Sequence, residues 1–338
     1  MKSCGFTRRE LGRFAAAGAG ALASPALVRA QARTAVNIIS TQGVATVAMQ
    51  ELMKRQGYLQ EFGLEPRATF VVDGSRIMGS LLSGENDICI FSGFAQVLTA
   101  AEKGAKVKLL AGALLKLQHQ IYTKRPEIRT MKDLAGKTIG VASLGALAHS
   151  MVVDALRRNG VDEKSVRFAN IGSAPDIFRA VAAGVVDAGP SESDAAENYS
   201  RHGVRVVEGG ELYRELPDFT FQAAYAAERA IARKRDTLVR TLAAYAKLYR
   251  FLMTEESKEP WVAACAAALT RMEPASAAWL WRFYRENRLY ATDLVLSPQR
   301  VEYMQKLNVS LDVQKRVLPY EEVADMTLAR DALKLLGA

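Results

Sequence analysis

Two short polar segments of this chain are the best suited to hold a small ligand. Ser40–Gly43 follows a predicted strand at Val36–Ile39, and Ser143–Gly145 follows a predicted strand at Thr138–Ala142. A helix is predicted to begin directly after each segment, and the first turn of a helix offers free N–H groups to an anion. Both segments are therefore candidate anion sites. For the second, the alternative is an ordinary capped helix in which Ser143 accepts a backbone hydrogen bond.

The histidines and cysteines do not indicate catalysis or metal binding. A catalytic histidine needs a partner within hydrogen-bond reach, and no motif beside His119, His149 or His202 supplies one. His149, in the first turns of the helix after the second segment, is a further candidate for the ligand site. Cys89 and Cys265 have apolar neighbours, which favours buried free thiols over a disulfide. Without a CxxC motif or a His/Cys cluster, we expect no catalytic residues, no metal, no cofactor and no enzymatic activity.

The first 32 residues are typical of an export signal. Arg8 and Arg9 precede a run of small apolar residues at Phe14–Val28, and Ala30–Ala32 has the small-x-small pattern of a cleavage site. The arginine pair resembles a twin-arginine signal, with an ordinary secretory signal as the alternative. We expect cleavage after Ala32 and a periplasmic location.

The net charge gives little reason to expect a polyanionic partner. The signal holds five Lys/Arg and one Glu, so removing it lowers the formal net charge of the chain from +9 to +5. No basic cluster is interleaved with aromatic residues, so we expect no nucleic-acid partner.

Alternating strands and helices predict an α/β fold built from two similar lobes. The order strand, helix, strand, helix, strand over residues 36–91 recurs about a hundred residues later, over residues 138–189. From about Thr237 onwards the periodicity is helical. Ligands of open parallel sheets bind at the carboxyl ends of the strands, so the two polar segments should face each other across a cleft. The pairs that match between the two halves are Ile77 with Ile177, Leu81 with Val181, Gly84 with Gly184, and Asp87 with Asp187.

Several motifs resemble those of the nitrate/sulfonate/taurine-type periplasmic binding proteins, over the range Val36–Glu192. Asp133–Lys137 matches the D-L-x-G-K that precedes a strand of the second lobe in that family, and Ala183–Ala188 resembles its A-x-G-x-V-D-A. D-L-x-G-K is widespread among two-lobed binding proteins, so it supports the superfamily more strongly than the subgroup. The similar motifs of the first lobe are Phe62–Glu65, Gly84–Ile88 and Gly104–Lys108.

The resemblance implies the two-lobed (type II) periplasmic binding protein fold, with parallel sheets flanked by helices and a helical C-terminal part. It implies a first lobe of residues 33–118 and 224–338 and a second lobe of residues 119–223. The chain would cross between the lobes near Gln118–Tyr122 and Thr220–Ala226. The implied activity is that of a monomer that captures a small molecule in the cleft and presents it to an ABC transporter permease in the inner membrane.

The cleft positions of the family map onto four segments of this chain. Phe91 and Phe94 would stack on an apolar ligand body, or else pack inside the lobe. Glu192 would suit a ligand with an amine or a ring N–H, or else be a solvated loop carboxylate. Many relatives carry Trp and Pro where this chain has Pro190–Ser193, a departure that affects the usual aromatic wall of the cleft. Together with His149, the candidate ligand-binding residues are Ser40, Thr41, Gln42, Phe91, Ser92, Gly93, Phe94, Ser143, Leu144, Gly145, Ala146, Ser191 and Glu192.

The candidate cleft segments are rich in Ser, Thr, Gly and Phe and poor in Arg. This composition favours an oxyanion or carboxylate with an apolar or aromatic body, such as a sulfonate, an aromatic carboxylate or a pyrimidine precursor. The alternatives are a thiamin-pyrimidine-precursor-type binding protein or enzyme on the same fold, and a binding protein that serves a sensor. We expect Gly145→Asp to weaken binding of an anion at least a hundredfold, and we expect the fold to survive unless Gly145 needs a positive φ angle.

Overall fold

The computed structural model describes residues 33–71, 75–193, 199–269 and 272–337. The predicted signal, residues 1–32, lies outside the described residues, and so does the cleavage site. Among the described helices, none is both long enough and apolar enough to cross a membrane.

Ten strands in the described residues form two five-stranded sheets. The sheets have the strand orders β2-β1-β3-β10-β4 and β7-β6-β8-β5-β9. The strands are β1 Thr34–Thr41, β2 Leu64–Val71, β3 Ile88–Ser92, β4 Val107–Leu114, β5 His119–Thr123, β6 Thr138–Val141, β7 Arg167–Asn170, β8 Ala188–Glu192, β9 Arg205–Glu211 and β10 Gln222–Ala227.

The helices of the described residues flank these sheets, and those after β10 form the helical C-terminal part. The helix α1 ends at Gly57, whose φ of 67° is left-handed and suits glycine. The helices are α1 Val44–Gln56, α2 Tyr58–Glu61, α3 Ser75–Ser83, α4 Ala95–Glu102, α5 Leu147–Arg158, α6 Ala174–Ala183, α7 Leu212–Glu215, α8 Glu228–Leu252, α9 Lys258–Ala268, α10 Pro274–Glu286, α11 Pro298–Ser310, α12 Tyr320–Val323 and α13 Thr327–Lys334.

Each sheet is mixed rather than purely parallel. In the first, β1 pairs in parallel with β2 and β3, whereas β10 runs antiparallel between β3 and β4. In the second, β6 pairs in parallel with β7 and β8, whereas β5 runs antiparallel between β8 and β9. The predicted two-lobed α/β fold is confirmed. The chain crosses between the sheets after β4 and after β9. The predicted crossings near Gln118–Tyr122 and Thr220–Ala226 and the lobe boundaries at 118/119 and 223/224 stay predictions.

The internal repeat has a structural basis at Asp87 and Asp187. The Asp87 carboxylate accepts the N–H of Asn37 on β1 at 2.9 Å, and the Asp187 carboxylate accepts the N–H of Thr138 on β6 at 2.9 Å. In both lobes the aspartate N–H donates back to the carbonyl of the same partner residue. Asp87 therefore ties β1 to the start of β3, and Asp187 ties β6 to the start of β8.

The C-terminal helices pack on the first sheet and bury their aromatic residues. Trp261 of α9 is fully buried and donates its indole N–H to the Ala277 carbonyl at 3.0 Å. Trp281 of α10 donates to the Ser257 hydroxyl at 2.8 Å. Among the described cysteines, Cys89 and Cys265 are both buried and both free.

Candidate ligand-binding cleft

Two adjoining cavities lie between the lobes. The inner chamber has a volume of about 250 Å³ and a largely polar lining, and the outer chamber has a volume of about 500 Å³ and a largely apolar lining. Gly93, Leu147 and Phe221 line both, so the chambers are continuous parts of one cleft. The other residues of the inner chamber are Thr41, Gln42, Gly43, Ala45, Thr46, Leu114, Gln118, His119, Ala174, Glu192, Gln222 and Tyr284. The other residues of the outer chamber are Phe94, Ala95, Gln96, Thr99, Ala100, Lys103, Gly145, Ala146, Thr220, Met304 and Val313.

The first-lobe loop, defined as residues 40–43, presents an open helix end to the inner chamber. The hydroxyls of Ser40 and Thr41 bond the backbone of Phe91, since Thr41 donates to its carbonyl at 2.8 Å and Ser40 accepts its N–H at 3.4 Å. These bonds hold the loop against β3. Gly43 is the N-cap of α1, in extended conformation, and no side chain in the described part of the chain caps the helix. Among the described residues, the first-turn N–H groups of α1 are therefore open to an acceptor from a ligand.

The second-lobe loop, defined as residues 143–146, uses its N–H groups internally. The Ala146 N–H donates to the Ser143 carbonyl at 3.1 Å, and the Gly145 N–H donates to Nδ1 of His149 at 3.0 Å. Gly145 has a φ of 79°, which is left-handed. Two of the N–H groups that the sequence offered to an anion are thus engaged, and an Asp at position 145 would strain the backbone.

The second-lobe loop still borders the outer chamber. Gly145 and Ala146 line it, whereas Leu144 is 72% exposed and, like Ser143, lines neither chamber. The helix α5 has no side-chain cap, and its first residue, Leu147, lines both chambers. What this lobe offers to a ligand is therefore the first turn of α5 rather than the loop before it.

The predicted site residues 91–94, at the end of β3 and just after it, divide between the core and the cleft. Phe91 is fully buried and packs edge-to-face against Tyr245 and Tyr249 of α8, with ring centroids 5.6 and 6.1 Å away. The geometry favours the alternative that Phe91 packs inside the lobe. Ser92 is also buried and lines neither chamber, whereas Gly93 lines both and Phe94 lines the outer one.

The remaining predicted residues are also divided. Glu192 lines the inner chamber, opposite His119 in the pairing of β8 with β5. Ser191 is buried and donates its hydroxyl to the Ala174 carbonyl at 3.0 Å, which anchors β8 to α6. His149 lines neither chamber; besides Gly145 its ring contacts Phe168 edge-to-face at 4.6 Å. Partial burial, together with the nearby Arg157, lowers the pKa of His149.

The sequence did not predict the two polar cleft residues on β5 and β10, the strands that follow the crossings between the sheets. His119 on β5 and Gln222 on β10 both line the inner chamber and are 6% and 5% exposed. Burial lowers the pKa of His119 to about 4, so the imidazole is neutral at neutral pH. The available signal was a polar residue at the first position of each strand, followed by apolar residues such as Ile121 in β5 and Ala223 in β10. In the described parts of the chain, no group of three His, Cys, Asp or Glu residues is placed to hold a metal ion.

Proteins of known structure share this fold. A putative periplasmic sulfonate-binding protein SsuA of Methylobacillus flagellatus KT matches with a TM-score of 0.72 and 16% identity, over 90% of this chain and 96% of that one. The alkanesulfonate-binding protein SsuA of Xanthomonas axonopodis pv. citri, bound to MOPS, matches with a TM-score of 0.67 and 18% identity, over 86% and 98%. The desulfurization enzyme DSZB matches with a TM-score of 0.63 and 14% identity, over 90% and 100%. At these identities the likeness establishes a common fold.

Sequence comparison assigns the family. No curated protein sequence matches the chain. The family model described as NMT1/THI5 like matches residues 52–258, which is more than half of the chain. This match and the shared fold confirm the resemblance to the nitrate/sulfonate/taurine-type binding proteins. The chain belongs to the NMT1/THI5-like family.

Proposed function

We propose that this protein is the exported substrate-binding component of an ABC importer and that it captures a small organic anion in the interlobe cleft. The observation that carries the proposal is the open N-terminus of α1 in the wall of the inner chamber. A helix of 13 residues places partial positive charge and free N–H groups at this end. The permease partner and the periplasmic location are proposed from the fold shared with periplasmic sulfonate-binding proteins and from the N-terminal sequence.

The helix ends at the inner chamber differ in what they can offer an anion. The N-terminus of α6 is closed by a capping box in which Ser173 and Asp176 satisfy each other's backbone groups, and Asp176 adds negative charge. The helices α1 and α5 have no side-chain cap. An anionic head held by α1, with help from α5, is therefore favoured over one held by α6.

The outer chamber suits the body of such a ligand. Phe94, Met304 and Val313 give it an apolar lining, and Lys103 stands at the same cavity. A sulfonate or carboxylate with an apolar or aromatic body would place its head in the inner chamber and its body in the outer one. The Xanthomonas relative bound to MOPS supports an organosulfonate as one class to examine first.

A ligand screen on residues 33–338 tests the proposal. Benzenesulfonate, toluenesulfonate and benzoate derivatives should raise the melting temperature, whereas toluenesulfonamide, which has the same body without the charge, should not. Binding at a hundred times Kd stabilises the folded state by about 2.7 kcal/mol. If the neutral amide stabilises the protein as much as the sulfonate does, recognition of an anion is wrong.

The fold shared with DSZB makes an enzyme the second candidate. The geometry favours binding alone, because neither described cysteine lines the two chambers. Cys89 lies in the core, where burial raises the pKa of its thiol to about 12 and removes the nucleophilic thiolate. A DSZB mutant has been solved in complex with biphenyl-2-sulfinic acid, so this compound is the test substrate. Incubation with biphenyl-2-sulfinate should release no sulfite; release at a rate proportional to protein concentration would establish the enzyme instead.

Export is proposed from the N-terminal sequence, with cleavage after Ala32. Mass spectrometry of protein recovered from the periplasm should find a chain that begins at Arg33. Retention of the full-length chain in the cytoplasm would contradict this.

A further inference from the structure

Two buried polar atoms at the inner chamber have no partner in the part of the chain that the structure describes. They are Nδ1 of His119 and Oε1 of Gln222. The two side chains come from different strands, β5 and β10, which belong to different sheets, yet both line the same cavity. The inner chamber is thus a place where strands of both sheets present unsatisfied polar groups.

Buried polar atoms without a hydrogen-bond partner lower the stability of the unliganded folded protein. A buried polar group without a partner loses its hydrogen bonds to water and gains nothing in return. Glutamines in the same strands can be satisfied, since Oε1 of Gln120 on β5 accepts the Tyr122 hydroxyl at 2.9 Å. An unpaired polar group at a binding cleft is explained if the ligand supplies its hydrogen-bond partner. The carbonyl oxygen of an amide accepts hydrogen bonds but cannot donate them, so the partner of Oε1 of Gln222 must be a donor.

We propose that the ligand carries an N–H donor, as an amino, amide or ring N–H group, beside its anionic head, and that Gln222 and His119 select for this donor. An NH₂ group has two hydrogens and can donate to Oε1 of Gln222 and, in the tautomer of neutral His119 that carries its proton on Nε2, to Nδ1 of His119 as well. The carboxylate of Glu192, in the same lining, adds a third acceptor. The inference rests on the proposed anion binding and narrows it to anions that carry a nearby donor.

Pairs of ligands that have the same shape but differ in one N–H donor test the donor requirement. Calorimetric titration compares 2-aminobenzenesulfonate with 2-methylbenzenesulfonate, and 2-aminobenzoate with 2-methylbenzoate. The wild-type protein should bind the amino compound of each pair at least tenfold more tightly. Gln222→Met keeps the length of the side chain but removes the acceptor, so it should abolish this preference by weakening only the amino compound.

The matched control is Gln120→Met, because Gln120 is a buried glutamine that lines neither chamber and whose oxygen is already bonded. It should lower the melting temperature and leave the amino preference unchanged. Gln222→Met should leave the melting temperature of the unliganded protein unchanged or raise it, because it removes an unsatisfied group. His119→Phe, which keeps an aromatic ring against Phe221, is the second variant should Gln222→Met fail to fold.

The outcomes separate the inference from the function on which it rests. If wild-type protein binds both members of each pair equally, or if the amino preference survives both Gln222→Met and His119→Phe, the donor requirement is wrong and anion binding stands. If none of the four anions binds at millimolar concentration, the proposed function fails and the donor requirement fails with it.

Discussion

The first-lobe loop and the second-lobe loop occupy equivalent places in the internal repeat but differ in their hydrogen bonding. Each follows a strand of the repeat, β1 or β6, and precedes a helix whose N-cap residue supplies no side-chain cap. The N-caps are Gly43 and Ala146, so Gln42 and Gly145 hold equivalent positions. The Gly145 N–H donates to His149, a side chain of the following helix, whereas the Gln42 N–H donates to the Val71 carbonyl on β2 at 2.8 Å. The second-lobe loop is thus held by its own helix, and the first-lobe loop is held by a neighbouring strand.

The two loops also differ in the backbone conformation of their glycines. Gly145 needs a left-handed φ of 79°, and a Cβ added there would lie 3.2 Å from a methyl carbon of Val313 in the first lobe. Gly43 is extended, with a φ of −157°, and a Cβ there would meet Thr46 at an ordinary 3.7 Å. The backbone at Gly145 therefore favours glycine, whereas the backbone at Gly43 tolerates a side chain.

Aspartates at the two N-caps should give the largest difference between the loops. Both Gly43 and Ala146 have the extended backbone of an N-cap, where Asp is favourable. Gly43→Asp places a carboxylate against the anionic head and should weaken binding of an arylsulfonate at least a hundredfold, about 2.8 kcal/mol. Ala146→Asp, beside the outer chamber, should cost less than tenfold. Titration calorimetry measures both.

Neutral caps are the matched controls for these variants. Gly43→Asn and Ala146→Asn cap the helices without adding charge, so they separate repulsion from steric effects. All four variants should melt at or above the temperature of the wild-type protein. If Ala146→Asp weakens binding more than Gly43→Asp does, the anion lies at α5 and the comparison is reversed.

The histidines of the two regions should differ in their titration. Burial lowers the pKa of His119 to about 4, whereas His149 is only partly buried. The pKa of His119 in the folded state lies below its ordinary 6.5, so the unfolded chain binds this proton more tightly. The resulting stability is complete above pH 6.5, and the free energy of unfolding should fall as the pH drops from 6.5 towards 4.

Urea unfolding at a series of pH values measures this effect. His119→Phe should remove most of the slope between pH 4 and 6.5, and His149→Gln should remove less. If the free energy of unfolding depends on pH equally in the two variants, His119 is no more strongly desolvated in the inner chamber than His149 is in the second lobe.

The smallest effect is expected at a contact between the lobes outside the cleft. Tyr303 of α11 donates its hydroxyl to the carboxylate of Asp154 on α5, and Arg158 donates to the same hydroxyl at 3.0 Å. The group is partly exposed, so it contributes little, on the order of 1 kcal/mol or less. Tyr303→Phe should make the lobes open more easily and weaken ligand binding about threefold.

Titration calorimetry measures this change, and small-angle scattering should show a larger radius of gyration for unliganded Tyr303→Phe than for the wild-type protein. Tyr320→Phe is the control, because the Tyr320 hydroxyl donates to the Leu296 carbonyl within the C-terminal part. It should leave both quantities unchanged. Equal effects of the two variants would show that the contact does not restrain the lobes.

Local pattern was sufficient for most of the fold. Alternating strands and helices, the glycine that ends α1, and the repeated Asp87 and Asp187 predict the two lobes, because these signals lie within a few residues of the elements they define. Within each sheet, the strands of the repeat pair in parallel. Each sheet contains antiparallel strands such as β5 and β10, whose place depends on where the chain crosses between the lobes.

For the candidate site, the sequence by itself identified the strand-end segments and the family. Only the tertiary structure decided which N–H groups stay open, that Phe91 turns into the core, and that His119 and Gln222 line one chamber. The physical reason is that a strand end has the same sequence pattern whether its N–H groups meet a ligand or a side chain. Burial and pairing are set by contacts between residues far apart in the chain, about a hundred positions for His119 and Gln222, and such contacts leave no local signal.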